Sequence, residues 1–309
     1  MSRKLTFIGL GLVGLATVIG TWRLHAYRVQ PSNVVAKSVS VSAMPQRLPD
    51  ADRRVQPALT VDSREAQRKE KDYRQLVNRL LPMANAGSAE AQFEVASALH
   101  YCEKNSHLLI SQSTGAPRTP EEIHALYIKL PENTQSLVEK AYQRCRSFAG
   151  DLNSLKASSE WLDRAAKAGY PPATFMKADL MMQSHLMDGD SAALQQARQL
   201  AITASTSADP AILFGMADFV DGASKPREQA GQLIAAWWLL GCESGYDCSA
   251  ESDAIQGICT VDPQCADKPT VVEEIQRTTG ANFAEVQQLA EQIRAAVDSH
   301  DPEEIKKYL

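Results

Sequence analysis

Two stretches, MANAGSAEAQFEVASAL (83–99) and RAAKAGYPPATFMKADLM (164–181), decide the fold, because they are copies of one pattern. Ala84, Gly87, Ala91, Phe93, Ala96 and Leu99 fall opposite Ala166, Gly169, Ala173, Phe175, Ala178 and Met181 at an offset of 82, or two units of 41. A shift of 38 from the second copy brings TASTSADPAILFGMADF (203–219) into register, with Ala173 over Ala211 and Met176 over Phe214. A further 38 reaches GCESGYDCSAES (241–252) and sets Trp161 over Trp237. Self-similarity at a near-constant period of this size marks an array of stacked supersecondary units.

The residue types supply the physical reason. Gly87 and Gly169 stand just past a predicted helix end, where a left-handed backbone closes the turn without a Cβ penalty. Small residues at 84, 91 and 96, and at 166, 173 and 178, let antiparallel helices approach, while Phe93, Phe175, Leu99 and Met181 fill the seam. Each unit is a helix hairpin that cannot bury its face alone, so stacked neighbours complete the core. Between the two best copies, Thr119-Pro120-Glu121-Glu122 reads as a capped helix start with proline in the first turn. Helical stretches up to Pro131 and then from Glu132 to Gly150 make an intervening hairpin. The loop 104–118 exceeds ordinary hairpin loops and is expected to be mobile or a binding element. Phe283, Val286, Leu289, Ile293 and Val297 line one side of a helix over 281–300, a terminal cap, after which 301–309 is expected to fray.

Composition agrees with helices. Over 309 residues the chain is 44% hydrophobic, enough for a sizeable core, and only 6% aromatic, which argues against all-β sandwiches. The formal net charge of -5 argues against nucleic acid as a partner. Charge is divided unevenly: residues 1–71 hold 12 Lys/Arg against 5 Asp/Glu, and residues 72–309 hold 20 against 32.

Arg3 and Lys4 precede LTFIGLGLVGLATVIGTW (5–22), an uncharged run of 18 residues. At ~1.5 Å per residue it nearly matches a ~30 Å hydrocarbon core. Trp22 stands where an interfacial aromatic belongs, and no convincing small-residue cleavage site follows, so the segment is expected to remain as a signal anchor. Residues 1–4 then form a cytoplasmic N-terminus. Gly9, Gly11 and Gly14 also fit a dinucleotide-binding turn, but the first acidic residue is Asp50, far beyond the ~20 positions that fingerprint requires. Residues 23–62, with prolines at 31, 45, 49 and 57, read as a flexible linker. The helical repeat domain is expected over 63–300, with 301–309 as its tail.

The strings AAKAGYPPATFMKADLM and MANAGSAEAQFEVASAL resemble the Sel-one-like branch of tetratricopeptide-type repeats, whose hallmark is A-A-x-x-G-x-x-x-A at the inter-helix turn. The resemblance covers about residues 72–259 and is clearest at 161–182 and 79–102. Ser207 replaces the turn glycine in the third register, CESGYDC forms the fourth turn, and the family's L-G-x-x-Y-x-x-G helix ending is missing. The resemblance implies an all-α fold, an α-solenoid of antiparallel hairpins, whose concave face commonly binds proteins or peptides. It implies no catalysis and no cofactor.

The six cysteines point to an oxidising compartment. Cys102 ends the second helix of the first hairpin and Cys145 ends the intervening one, so a bond between them would staple neighbours. A helix over 250–258 would hold its two ends too far apart for bridging, which leaves Cys242–Cys248 and Cys259–Cys265 as the remaining pairs. Zinc on those four thiols and buried free thiols are the competing readings. His100, His107, His124, His185 and His300 are scattered with no nucleophile motif. Glu243-Ser244 resembles the acid-bearing pair of lytic transglycosylases, without that family's glycine-rich segment downstream. Met176, Met181, Met182, Met187 and Trp237-Trp238 read as seam residues. The expectation is a non-enzymatic interaction scaffold for an unknown protein or peptide partner. It would be single-pass in a bacterial inner membrane, with the bulk of the chain periplasmic. A cell-wall (peptidoglycan) processing enzyme or its regulator is the alternative.

Overall fold

The glycine turns of the repeat register set the helix pattern. Gly87, Gly169 and Gly245 all have positive φ, at 96°, 79° and 104°. Each closes the preceding helix alike: the glycine N–H donates to the carbonyl three residues back, and the next N–H to the carbonyl five back (Gly87 to Ala84, Ser88 to Met83; Gly169 to Ala166, Tyr170 to Ala165; Gly245 to Cys242, Tyr246 to Gly241). At the third turn the left-handed residue is Ala208 (φ 53°), one position later than the register places it, and Asp209 caps the next helix.

The computed structural model describes residues 70–309 apart from 112, 130–131, 189–190, 221–224, 251 and 260–268. The chain divides into Met1–Gln56 and Pro57–Leu309, and the described residues all belong to the second unit. The predicted anchor 5–22, the dinucleotide-type turn within it and the linker 23–62 lie outside the described residues. Among the described helices none is long and apolar enough to cross a membrane.

The described residues are all-α, and their nearest approach to a strand is an isolated bridge between Ile110 and Pro117. Helices α1 (Tyr73–Asn85) and α2 (Ala89–Lys104) form the first hairpin, and α3 (Pro120–Tyr127) and α4 (Glu132–Cys145) the second. Then come α5 (Ser158–Lys167), α6 (Pro171–Asp188), α7 (Ser191–Ser205) and α8 (Pro210–Gly215). They are followed by α9 (Arg227–Glu243), α10 (Asp253–Cys259), α11 (Val271–Thr279), α12 (Phe283–Asp298) and α13 (Pro302–Lys306). Side-chain caps explain several starts: Asp72 accepts from the Arg74 N–H, Ser88 from Ala91, and Thr119 and Thr270 each sit in a full capping box.

The two best sequence copies are neighbours in space. Helix α2 packs directly on α5, and the α3–α4 hairpin lies against α1, α2 and the helical turn Ser106–Leu109 instead of between the copies. The 82-residue offset is thus one spatial step with an insertion. Ala96, Leu162, Ala165 and Ala173, all buried, form a small junction, with Phe93, Trp161, Tyr170, Met176 and Leu180 packed around it half-buried. On either side lies a larger core. One contains Leu76, Leu80, Val95, Leu109 and Phe148, and the other Ile202, Ile212, Phe219, Trp237 and Ile293.

The mobile alternative for the loop 104–118 and the expected fraying of 301–309 both fail for physical reasons. The loop 104–118 is a built element: Leu108 and Leu109 are buried, the Arg118 N–H donates to the Leu109 carbonyl, and Arg118 Nε donates to the Ile110 carbonyl at 3.1 Å. Nor does the C-terminal segment fray. Asp301 caps α13, Ile305 is fully buried, Leu309 is buried, and Trp237 Nε1 donates to the Tyr308 carbonyl at 3.1 Å. Lys225 Nζ donates to the Leu309 carbonyl oxygen.

Close approach also fixes one glycine. A Cβ at Gly241 would sit 2.6 Å from Phe214 Cβ and 2.8 Å from its Cα, and Phe214 is held by stacking on Tyr246 at 4.5 Å. Relief of helix entropy by Gly→Ala is worth up to about 1 kcal/mol, less than the overpacking cost of about 1–3 kcal/mol. Gly241→Ala is therefore expected to destabilise by about 2 kcal/mol. Gly231→Ala, at an exposed position of the same helix with open space around it, should stabilise by up to about 1 kcal/mol. Urea midpoints that move the same way for both variants would contradict the contact.

Candidate functional site

A cavity of about 230 Å³ opens where the second helices of three hairpins come together. Phe93 and Glu94 on α2 form one wall, Phe175, Met176 and Asp179 on α6 a second, and Ala211 and Ile212 on α8 a third. Tyr170, Pro172 and Asp209, from the turns that start α6 and α8, line its remaining edge.

Local structure fixes these side chains. The Phe93 and Tyr170 rings meet at 5.4 Å, Phe175 rests edge-on against Phe219 at 5.6 Å, and Met176 Sδ lies 3.8 Å from the Ser97 hydroxyl that donates to it. Asp209 is partly engaged as the cap of α8, its Oδ1 accepting from Ala211 and Ile212 N–H groups at 3.0 and 3.3 Å. Asp179 Oδ2 accepts from Gln183 Nε2 at 2.6 Å, whereas its Oδ1 is buried without a hydrogen-bond donor. Glu94 is 6% exposed, an unusual degree of burial for a carboxylate. The lining includes these three acidic residues and no Lys, Arg or His.

Size and wall chemistry limit what fits. Pockets for drug-sized ligands and cofactors run to about 300–1,000 Å³, so this cavity suits one long side chain or a short run of extended chain. Sequence reasoning placed Phe93 and Phe175 in the seam; both are half-buried and line the cavity at equivalent repeat positions. It did not single out Glu94, Tyr170, Asp179 or Asp209. The signal for them was the recurring aromatic at the same offset beside each turn. A second cavity of about 260 Å³ lies between α3 and α4, lined by Ile123, His124, Tyr127, Val138, Glu139 and Tyr142 among others.

Apart from His124, which lines the second cavity, the remaining sequence candidates lie outside both cavities. Cys102 and Cys145 are bonded, with Cα atoms 5.3 Å apart, and so are Cys242 and Cys248, at 5.6 Å. Those four sulfurs are thus neither free thiols nor zinc ligands. Cys265 and the side chain of Cys259 lie outside the described residues. Among the described residues no group of three or more His, Cys, Asp or Glu could hold a metal ion. Glu243 is 44% exposed at the end of α9, with its carboxylate 2.7 Å from Arg294 Nη2, and lines neither cavity. Burial, with help from the Lys104 charge, pushes His100 down to about 4 and keeps it neutral. His107 and His300 are exposed and contact backbone carbonyls, His124 is exposed on α3, and the His185 side chain lies outside the described residues. Trp237 is core and Trp238 stacks on Phe214 at 6.0 Å. Met181 and Met182 pack in the larger C-terminal core; the Met187 side chain is not among those described.

Comparison of the chain with known protein families, with curated proteins and with solved structures finds no match.

Proposed function

We propose that the chain is a Sel-one-like α-solenoid that holds an extended segment of another protein in the cavity between α2, α6 and α8. One observation carries this reading: equivalent positions of successive hairpins, Phe93 and Phe175, line a single concavity of about 230 Å³ whose lining is mostly apolar with three acidic residues among it. That composition suits a peptide, with side chains seated on the aromatics and backbone amides met at the rim. The reading is one of binding, in keeping with a lining of aromatic rings, a methionine and carboxylates. The charge-free run 5–22 and the two bonded cysteine pairs support a scaffold anchored in a bacterial inner membrane with its helical body in the oxidising periplasm.

Site-specific photocrosslinking in native membranes tests the proposal. A benzoylphenylalanine at position 176, in the cavity, is expected to give a discrete protein adduct that Phe93→Ala weakens several-fold. The same probe at position 303, exposed on α13, should give none. Equal adducts from both positions, or an adduct indifferent to Phe93→Ala, would rule out the cavity as the binding place.

A further inference from the structure

We infer that the C-terminal end of α3 seats Leu126 and Ile128 in the headgroup layer of the bilayer that holds the anchor. The inference rests on the anchored-scaffold reading above and adds a lipid-facing surface that shares no residue with the α2–α6–α8 cavity. Among the described residues these two are the only exposed large hydrophobics, at 53% and 54%. They flank the half-buried Tyr127, and an exposed Lys129 follows them. The end of α3 thus brings together aliphatic bulk, a tyrosine ring and a long basic stem, the mixture favoured at a membrane–water interface. The acidic residues of this helix, Glu121 and Glu122, lie at its other end, in the first turn.

Chain connectivity and area favour lipid over a protein partner. The Ser147 hydroxyl, just past the end of α4, donates to Asp72 Oδ1 at 2.7 Å, and Arg74 donates to the Ser147 carbonyl and the Asp151 carboxylate at 2.9 and 3.1 Å. The start of α1, which follows the anchor and linker in sequence, is therefore pinned to the base of the inserted hairpin. One length of α4, 14 residues or ~20 Å, separates that point from the end of α3. Residues 23–69 span at most ~170 Å even when fully extended. The helical body consequently never leaves the neighbourhood of the bilayer, and a weak contact is populated without being strong. A stable protein interface, by contrast, buries about 800 Å² from each partner, far more than two half-exposed aliphatic side chains supply. Attraction to anionic headgroups does not provide the contact, because residues 72–309 carry 20 Lys/Arg against 32 Asp/Glu. The apolar side chains do, as the second of the two signals that hold a body flat against a membrane.

Fluorescence quenching by lipid provides the test. Full-length protein, its cysteines unaltered, is reconstituted into vesicles of phosphatidylethanolamine and phosphatidylglycerol, with or without phosphatidylcholine carrying brominated acyl chains. An environment-sensitive fluorescent amino acid replaces Leu126 in one preparation, Ile128 in a second and Glu303, exposed on α13, in a third. Brominated lipid is expected to quench the probes at 126 and 128 several-fold and to leave the probe at 303 unchanged. Both α3 side chains are exposed, so their replacement spares the core, and agreement between the two positions guards against a misplaced label. Flotation of the vesicles after alkaline extraction reports separately on the anchor. Protein that floats with the vesicles but shows no quenching at 126 and 128 would overturn the lipid contact and leave the anchor standing. A blue shift at those positions without quenching would do the same and mark a protein surface, such as a second copy of the chain. Equal quenching at 303 would also overturn the assignment to α3. Protein released by alkali would overturn the anchor and the lipid contact together.

Discussion

Replacing Cys102 and Cys145 together by alanine is expected to lower the unfolding free energy by roughly 4 kcal/mol, the loop-closure entropy of a bond spanning 43 residues. That bond joins the end of α2 to the end of α4 and closes the chain segment that holds the loop 104–118 and the α3–α4 hairpin. The inserted hairpin has little core of its own: Ile123 is the buried residue of α3, while Leu126 and Ile128 are over half exposed. Both cysteines are fully buried, so the truncation also leaves small voids. The pair Cys242–Cys248 spans only 6 residues, and its removal should cost roughly half as much, about 2 kcal/mol on the same entropy relation. Urea unfolding of the two double variants, each against wild type under non-reducing conditions, gives the comparison. Equal losses would show that loop length does not set the stabilisation here.

Trp237→Ala is expected to cost about 3–5 kcal/mol and to release the C-terminal segment. The indole is fully buried in the larger C-terminal core, and its N–H holds the Tyr308 carbonyl. Removing it therefore takes away the core contact and the hydrogen bond that docks the last residues. Trp237→Phe keeps much of the apolar volume but leaves that carbonyl without its indole donor, and should fall between the two. Limited proteolysis read by mass spectrometry distinguishes the effects: cleavage after residue 299 should accelerate in Trp237→Ala before the remaining helices are cut. Uniform digestion with an intact tail would mean that Tyr308 is held by other contacts.

Much of the hairpin pattern was legible because it is written locally. A glycine with positive φ, a capping Ser, Asp or Thr and an alanine at each close contact leave their mark within a few residues of where they act. The insertion was not legible, since an offset of 82 reads equally as two stacked units or as one unit plus a side hairpin. Choosing between them requires knowing that α2 meets α5. The tail was missed although its signals were present: Asp301 before Pro302 begins a helix, and Ile305 and Leu309 at i, i+4 present one narrow apolar edge. Two apolar residues in a polar segment are weak evidence until a receiving surface is known. The cavity suffers the same limit. Glu94, Asp179 and Asp209 are remote in sequence, and only the packing of α2, α6 and α8 unites them.

The alanine junction around Ala96, Ala165 and Ala173 governs how denaturation of this chain is to be read. The junction's buried part is small beside the two cores it joins, so each half is expected to lose its structure at its own denaturant concentration. A signal from Trp237 then follows one half, and the Cys102–Cys145 bond acts on the other. Their effects should sum independently, and one midpoint does not describe the whole chain.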